Sequence, residues 1–360
     1  MKRVFAMCSR CGEPFQPTAR GIVNRRHALL GLAGGCVTTA SNAFPLSAMA
    51  ASSREVVRAP YGAGFCSLGL FLVHAERLAD EDKVELELVT TPTFADHITM
   101  VGSGVIDMSV TPYTSVIALK NNGANIRIVG GGGIEGCGLV ARPGIDRPED
   151  LRGTTLGTFQ MDSLEILAFD WLRANKVPIE DIEVRYMGSV PEAVEAFKAG
   201  ALDWITSIEP YVTSLLHEVP GARLLSDGRD IYGPGYADCV LTAQAELVEK
   251  RPEAVKAVIK ALMRAQYSCE TDLDSVLAEM VGPYYKTTLA DAKLAAAKQP
   301  VQVDIRNQED FILARADSLV QMGYISTRPD RDLIDWHLLE ETIAANGPLW
   351  QNLERRTVHS

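Results

Sequence analysis

The stretch Ser103-Gly104-Val105-Ile106-Asp107-Met108-Ser109-Val110-Thr111-Pro112-Tyr113 decides the fold, because its plan recurs further along the chain. The second copy is Ala199-Gly200-Ala201-Leu202-Asp203-Trp204-Ile205-Thr206-Ser207-Ile208-Glu209-Pro210-Tyr211. Each reads as a helix end, a glycine, a small turn, an aspartate, a buried strand, and then Pro-Tyr opening another helix. Glycine takes the left-handed conformation that ends a helix without a Cβ clash. Proline suits the first helical turn, where its missing N–H costs nothing. The recurrence of Asp and of Pro-Tyr at matching places predicts two lobes of like construction.

Outward from these stretches the hydrophobic period alternates between strand and helix. Residues 56–59 and 84–89 read as strands around a helix at 67–78; Val84, Leu86 and Leu88 alternate strictly with Glu85 and Glu87. Thr93 caps a helix that ends near Gly102, and the strand at 126–129 runs into Gly130-Gly131-Gly132-Gly133. The pattern restarts at 138–141 and continues through strands at 154–158, 184–187, 204–208, 223–226 and 238–242. Beyond Ala245 it is helix after helix to about Ala345. Such alternation predicts an α/β protein with mostly parallel, doubly wound sheets and a helical C-terminal extension.

Several further pieces stand in a specific order: Gly102 to Asp107, Thr111-Pro112, Asn122-Gly123-Ala124, Ile128-Val129-Gly130, Pro148-Glu149-Asp150-Leu151-Arg152-Gly153 and Glu209-Pro210-Tyr211. Together they resemble the nitrate, sulfonate, taurine and thiamine-precursor binding proteins of ABC importers. Ile208 stands where tryptophan is usual before Glu-Pro. The resemblance covers Val56 to Tyr324. It implies a type II periplasmic-binding-protein fold, with lobe I at residues 51–140 and 238–345, lobe II at 141–237, and a tail at 346–360. The crossings near Gly138 and Cys239 would form the hinge. A small-molecule ligand would sit in the cleft, and closure would report occupancy to an ABC permease and its ATPase.

In open α/β sheets, ligands bind beyond the carboxyl ends of strands, against free backbone N–H groups. Four loops meet that description. The first offers Tyr61, Phe65 and Ser67; the second Thr111, Tyr113 and Thr114; the third Phe159, Gln160, Asp162 and Ser163; the fourth Glu209 and Tyr211. Tyr232 and Tyr236, in Tyr232-Gly233-Pro234-Gly235-Tyr236, would close the rim. Asp162 and Glu209 fall in these loops, and no Lys or Arg does. If both carboxylates point inward they favour an uncharged or cationic ring, as in a pyrimidine or amine. If both act as helix caps, the helix N-termini suit a sulfonate or carboxylate. Cys137 and Cys239 lie on the two crossings, as free thiols or as a disulfide.

The first fifty residues differ from the rest. Asn24-Arg25-Arg26-His27-Ala28-Leu29-Leu30 puts an arginine pair before an apolar, glycine-interrupted run, and Ala48-Met49-Ala50 is an A-x-A cleavage signature. This order predicts an export signal at residues 1–50, resembling the twin-arginine type, and a periplasmic location. Lipid attachment at Cys36 ranks second, since Ala33 stands where a larger aliphatic is usual. Cys8-x-x-Cys11 has no second pair to complete a metal site. The chain carries 35 basic and 46 acidic residues; beyond residue 50 the balance is 29 to 45, or −16. So acidic a body argues against nucleic acid as a partner. No later segment has the length of a transmembrane helix, so a membrane would be met only through the permease or a lipid anchor.

Two rival classes share the fold. One is an enzyme related to the pyrimidine synthases of thiamine biosynthesis, but their cysteine-rich motif is absent and Cys137 stands alone in Glu135-Gly136-Cys137-Gly138. His74, His97, His217 and His337 are scattered, and no H-E-x-x-H, G-x-S-x-G or Walker lysine loop occurs. The expectation is therefore a binding protein with no catalytic residue, metal or cofactor. The other rival is a sensor subunit, whose sequence would look the same.

Overall fold

The computed structural model describes residues 54–357. The export signal, the arginine pair and Cys36 lie outside the described residues. Among the described residues, no helix is long and apolar enough to cross a membrane.

The strands form two bodies. In the first, β1 (Glu55–Pro60) pairs in parallel with β2 (Val84–Val89). Beside them β3 (Met108–Pro112), β10 (Ala237–Gln244) and β4 (Ile126–Ile134) form a sheet in the order β3-β10-β4, with β10 antiparallel to both neighbours. The second body is one sheet in the order β7-β6-β8-β5-β9, from β5 (Cys137–Ala141), β6 (Thr155–Thr158), β7 (Glu183–Tyr186), β8 (Trp204–Ile208) and β9 (Arg223–Ser226). Strands joined by helices within a body run parallel: β1 with β2, and β7 with β6 and β8. β5 and β10, which carry the chain from one body to the other, enter against the parallel direction. A strand arriving from the far body needs no crossover helix, so nothing forces it parallel.

β5 lies wholly in the second sheet, so the first crossing is at Glu135-Gly136, ahead of the expected boundary at residue 140. The segment expected as a tail is packed instead. It continues as the helix Gly347–Asn352, Leu353 is fully buried, and Trp350 Nε1 donates to Asp304 Oδ2 at 3.1 Å.

The repeated stretches fold alike. Gly104 and Gly200 both adopt left-handed backbone, at φ 78° and 81°. Asp107 N donates to Arg58 O at 2.9 Å, and its carboxylate accepts from Arg58 N at 2.8 Å. Asp203 N donates to Thr155 O at 3.0 Å, and its carboxylate accepts from Thr155 N at 2.8 Å. In both bodies, then, this aspartate fastens the start of its strand to the neighbouring strand. The caps expected at Thr93 and Asp162 are also present, with Thr93 Oγ1 accepting from Asp96 N and Asp162 from Leu164 N.

Three of the four glycines of β4 let other segments reach the strand. A Cβ on Gly131 would lie 2.3 Å from Gln302 O, one on Gly132 2.4 Å from Val110, and one on Gly133 2.9 Å from Cys66 Cα. The loop after β1 thus rests directly on β4. The helix Pro252–Thr271 packs its buried Ala254, Val255, Val258, Ile259 and Leu262 into the main core, which also holds the helix Leu68–Ala75.

The equivalent roles of the two aspartates are open to test. Asp107→Ala and Asp203→Ala should each cost about 1–3 kcal/mol, because each leaves a strand N–H without its acceptor. Denaturant unfolding measures this, and the two losses should be of similar size.

Candidate functional site

The four strand-end loops converge, two from each body. Phe65 N donates to Glu209 O at 2.8 Å, and the hydroxyls of Thr114 and Ser115 both donate to Met161 O at 2.8 Å. The bodies are closed on one another in this structure, and clasps flank the closure on both sides. On one side Asp170, from the helix Ser163–Ala174, accepts from Ser318 Oγ at 2.6 Å, Tyr232 OH at 2.8 Å and Arg315 Nη1 at 3.0 Å. Tyr186 and Tyr324 both donate to Glu165 Oε1 at 2.7 Å. On the other side Lys298 Nζ reaches Glu209 at 3.4 Å, and His217 is bonded to Asp291.

Beneath the closure lies a buried polar cluster centred on Asp238, which is 0% exposed. Its Oδ1 accepts from Ser163 Oγ at 2.8 Å and Cys137 Sγ at 3.2 Å. Its Oδ2 accepts from Gln299 Nε2 at 2.9 Å and Cys239 Sγ at 3.1 Å. Adjacent residues of a strand normally face opposite ways. Here a bulge intervenes: Ala237 pairs with Ile134 and Cys239 with Gly133, which leaves Asp238 as the extra residue. Bulges re-aim side chains in this way.

Ser163 Oγ also stands 3.1 Å from Asp162 Oδ1. One hydroxyl hydrogen cannot serve two carboxylates, which leaves the pair one donor short. Burial pushes the Asp162 carboxyl up to about 7, against the Leu164 amide and with help from the charge of Asp238. Burial also raises Asp238, although Ser163 and the thiols oppose it. Among the described residues, no Lys or Arg hydrogen-bonds to either carboxylate. Burial and then Asp238 push the Cys137 thiol well up. Cys137 and Cys239 are free thiols here, both turned to Asp238 rather than joined.

Of the residues expected at the site, Phe65, Thr114, Phe159, Asp162 and Ser163 are brought to the closure. Phe65 packs edge-on against Tyr285 with centroids 4.6 Å apart, and Phe159 against Phe94 at 6.0 Å. Ser67 is buried in the turn under Gly62, and Tyr211 is half-buried near Tyr61.

The others are placed differently. Tyr61 stacks on Phe71 at 4.7 Å and donates to Tyr284 O, because the helix after β1 offers it an aromatic face. Thr111 shares a strand face with Ser109, and both turn to His97, whose imidazole burial lowers to about 4 and so keeps neutral. Tyr113 packs on Phe311 between helices. Gln160 is exposed. Glu209 meets the closure through its backbone oxygen, but its carboxylate folds back onto its own helix, accepting from Thr213 N and Thr213 Oγ1, and its basic partner Lys298 comes from a distant helix. Tyr236 donates to Asp227 O, bracing the second crossing.

The sequence reading missed Cys66, Asp238 and Gln299. Asp238 was visible as an acidic residue inside an apolar strand, beside a cysteine already placed at the crossing. A cavity of about 190 Å³ adjoins the cluster, lined by Cys137, Glu209, Lys298, Glu135 and Arg229. A larger hollow of about 460 Å³, near His74 and Tyr284, has none of the loop residues in its lining.

The NMT1-like family model matches residues 72–281. No curated protein matches the chain. Among solved structures, the periplasmic nitrate-binding protein NrtA from Synechocystis is similar at a TM-score of 0.72 and 12% identity, covering 84% of this chain and 91% of that one. The ligand-binding component of an ABC-type import system from Staphylococcus aureus, with zinc bound, gives 0.70 and 18%, covering 80% and 99%. The alkanesulfonate-binding protein SsuA from Xanthomonas axonopodis pv. citri, bound to MOPS, gives 0.68 and 18%, covering 78% and 98%. At these identities the likeness establishes a shared fold.

The raised Asp162 carboxyl makes a signed prediction. Its stabilising effect is complete below its ordinary value of 3.8 and is lost as the pH rises through about 7. A displacement of that size corresponds to about 4 kcal/mol at most. Asp162→Asn keeps the cap but cannot ionise, so the ligand-free variant should be more stable than the parent at pH 8. The difference should vanish near pH 4. Thermal unfolding of both proteins across that range measures it.

Proposed function

The chain belongs to the NMT1-like family, and from that premise we propose that it is an exported solute-binding protein. In this reading it captures a small organic molecule between two lobes and delivers it to an ABC permease and its ATPase. The observation that carries the reading is the closure of four strand-end loops, two from each body, over a buried polar cluster. An exported, periplasmic chain is consistent with the arginine pair at Arg25-Arg26 and the Ala48-Met49-Ala50 site. Lobe I would take the sheets of β1–β4 and β10 with the C-terminal helices, and lobe II the sheet of β5–β9.

The charge of the cluster argues for the class of solute. Two carboxylates, Asp162 and Asp238, face one hydroxyl, and among the described residues no basic side chain bonds to either. A sulfonate or nitrate brought there would meet like charge in a low dielectric. A ring amino group or protonated nitrogen would instead supply the hydrogen that Ser163 lacks. A polar heterocycle of the aminopyrimidine or amine kind therefore fits better than an anion.

The histidines support binding over catalysis. A cysteine nucleophile needs a nearby base to form its thiolate. His97 is held by Thr111 and Ser109, His217 by Asp291, His74 by Tyr284 and His337 by Asp335, so none meets the cluster thiols.

Thermal unfolding of residues 51–360 against a solute panel tests both parts. A ligand at a hundredfold excess over its Kd adds about 2.7 kcal/mol, a shift of several degrees. Aminopyrimidines or amines should shift the transition, and taurine, alkanesulfonates and nitrate should not. A shift with the anions alone would overturn the solute class. No shift with any compound, in a well-folded chain, would overturn capture.

A further inference from the structure

The cysteine side of the cluster has its own chemistry. Cys66 Sγ, Cys239 Sγ and a carboxylate oxygen of Asp238 all lie within 4.8 Å of one another. The three residues are 6%, 3% and 0% exposed. Cys66 is set there by the glycines of β4, since a Cβ on Gly133 would lie 2.9 Å from its Cα. Asp238 and Cys239 are turned to the same side by the bulge in β10.

We propose that Cys66, Cys239 and Asp238 form a binding site for a thiophilic divalent cation. Zinc takes thiolate sulfur at about 2.3 Å and carboxylate oxygen at about 2.0–2.2 Å in tetrahedral geometry. Three donors already within 4.8 Å need only close slightly around it. Two thiolates with a carboxylate are a soft, anionic set that favours such metals over calcium or magnesium. Binding forms two metal–sulfur bonds and releases the two thiol protons, while Asp238 binds as the carboxylate.

One further observation favours a cation: the ligating carboxylate already has the outer hydrogen bonds that orient such ligands, from Ser163 and Gln299. A Cys66–Cys239 disulfide is the rival fate of the pair. It would remove the Cys239 donor from Asp238 and leave a buried carboxylate with less compensation, whereas a cation supplies the missing charge. All three ligands belong to the first body, with Ser163 of the second body bonded to Asp238; zinc uptake is measured without solute, so its failure is distinguishable from a failure of solute capture.

The test uses the full chain in a Cys8→Ser/Cys11→Ser/Cys36→Ser background, reduced and under argon, titrated with Zn²⁺ against a chromophoric chelator. One tightly held equivalent is expected, and Cys66→Ser/Cys239→Ser should lose it. Asp238→Asn should weaken it tenfold or more. Substitution by Co²⁺ should give thiolate-to-cobalt charge-transfer absorption. X-ray absorption at the zinc edge needs no change in the cluster and should show sulfur with oxygen or nitrogen ligands. A zinc shell without sulfur, or equal uptake by the parent and a folded double variant, overturns the proposal. So does a Cys66–Cys239 disulfide in peptide maps of chain purified without reductant.

Discussion

A carboxylate shut away from water must be met by donors, and Asp238 draws them from every part of the chain that builds the crossing. Ser163 comes from the second body, Cys137 from the first crossing, Cys239 from the second, and Gln299 from the C-terminal helices. Taking such a group out of water costs several kcal/mol unless it is hydrogen-bonded. Its contacts therefore fix where these four segments meet. The bulge that frees Asp238 from the strand pattern is the local irregularity on which that meeting depends.

The glycine run of β4 works with it. Three consecutive positions admit Gln302, Val110 and Cys66 at distances that no side chain would allow. A strand stripped of side chains is weak by itself. Here the approach of other segments to the strand replaces the packing it lacks. Closure is then held at the periphery, by Asp170 and Glu165 on one side and Lys298 with His217 on the other. The centre of the cleft thus differs in character from its flanks: the flanks carry paired charges, while the carboxylates and thiols of the centre bond, among the described residues, to no Lys or Arg.

Much of the fold was legible because it rests on local rules. The Gly–Asp–strand–Pro-Tyr plan reappeared with the same left-handed glycines and the same aspartate-to-backbone bonds in both bodies. The caps at Thr93 and Asp162 follow from their neighbours alone. The site was legible only at the level of loops. Strand-end position named Phe65, Thr114, Asp162 and Ser163, but it could not say that Thr111 faces His97 or that Glu209 folds onto Thr213. Those choices depend on which side of a strand a partner packs against, and the partners are far away in sequence.

The sequence by itself determined the alternation of strand and helix, the two like lobes and the acidic balance of the chain, since these are set by residues within one turn or strand of each other. Only the tertiary structure decided that β5 and β10 run against the parallel direction, that residues 347–352 pack as a helix, and that Cys66, Asp238 and Cys239 meet. The physical reason is distance along the chain. A bulge in one strand, a glycine run in another and a loop from a third must coincide before a buried carboxylate finds its donors, and no local pattern records that coincidence.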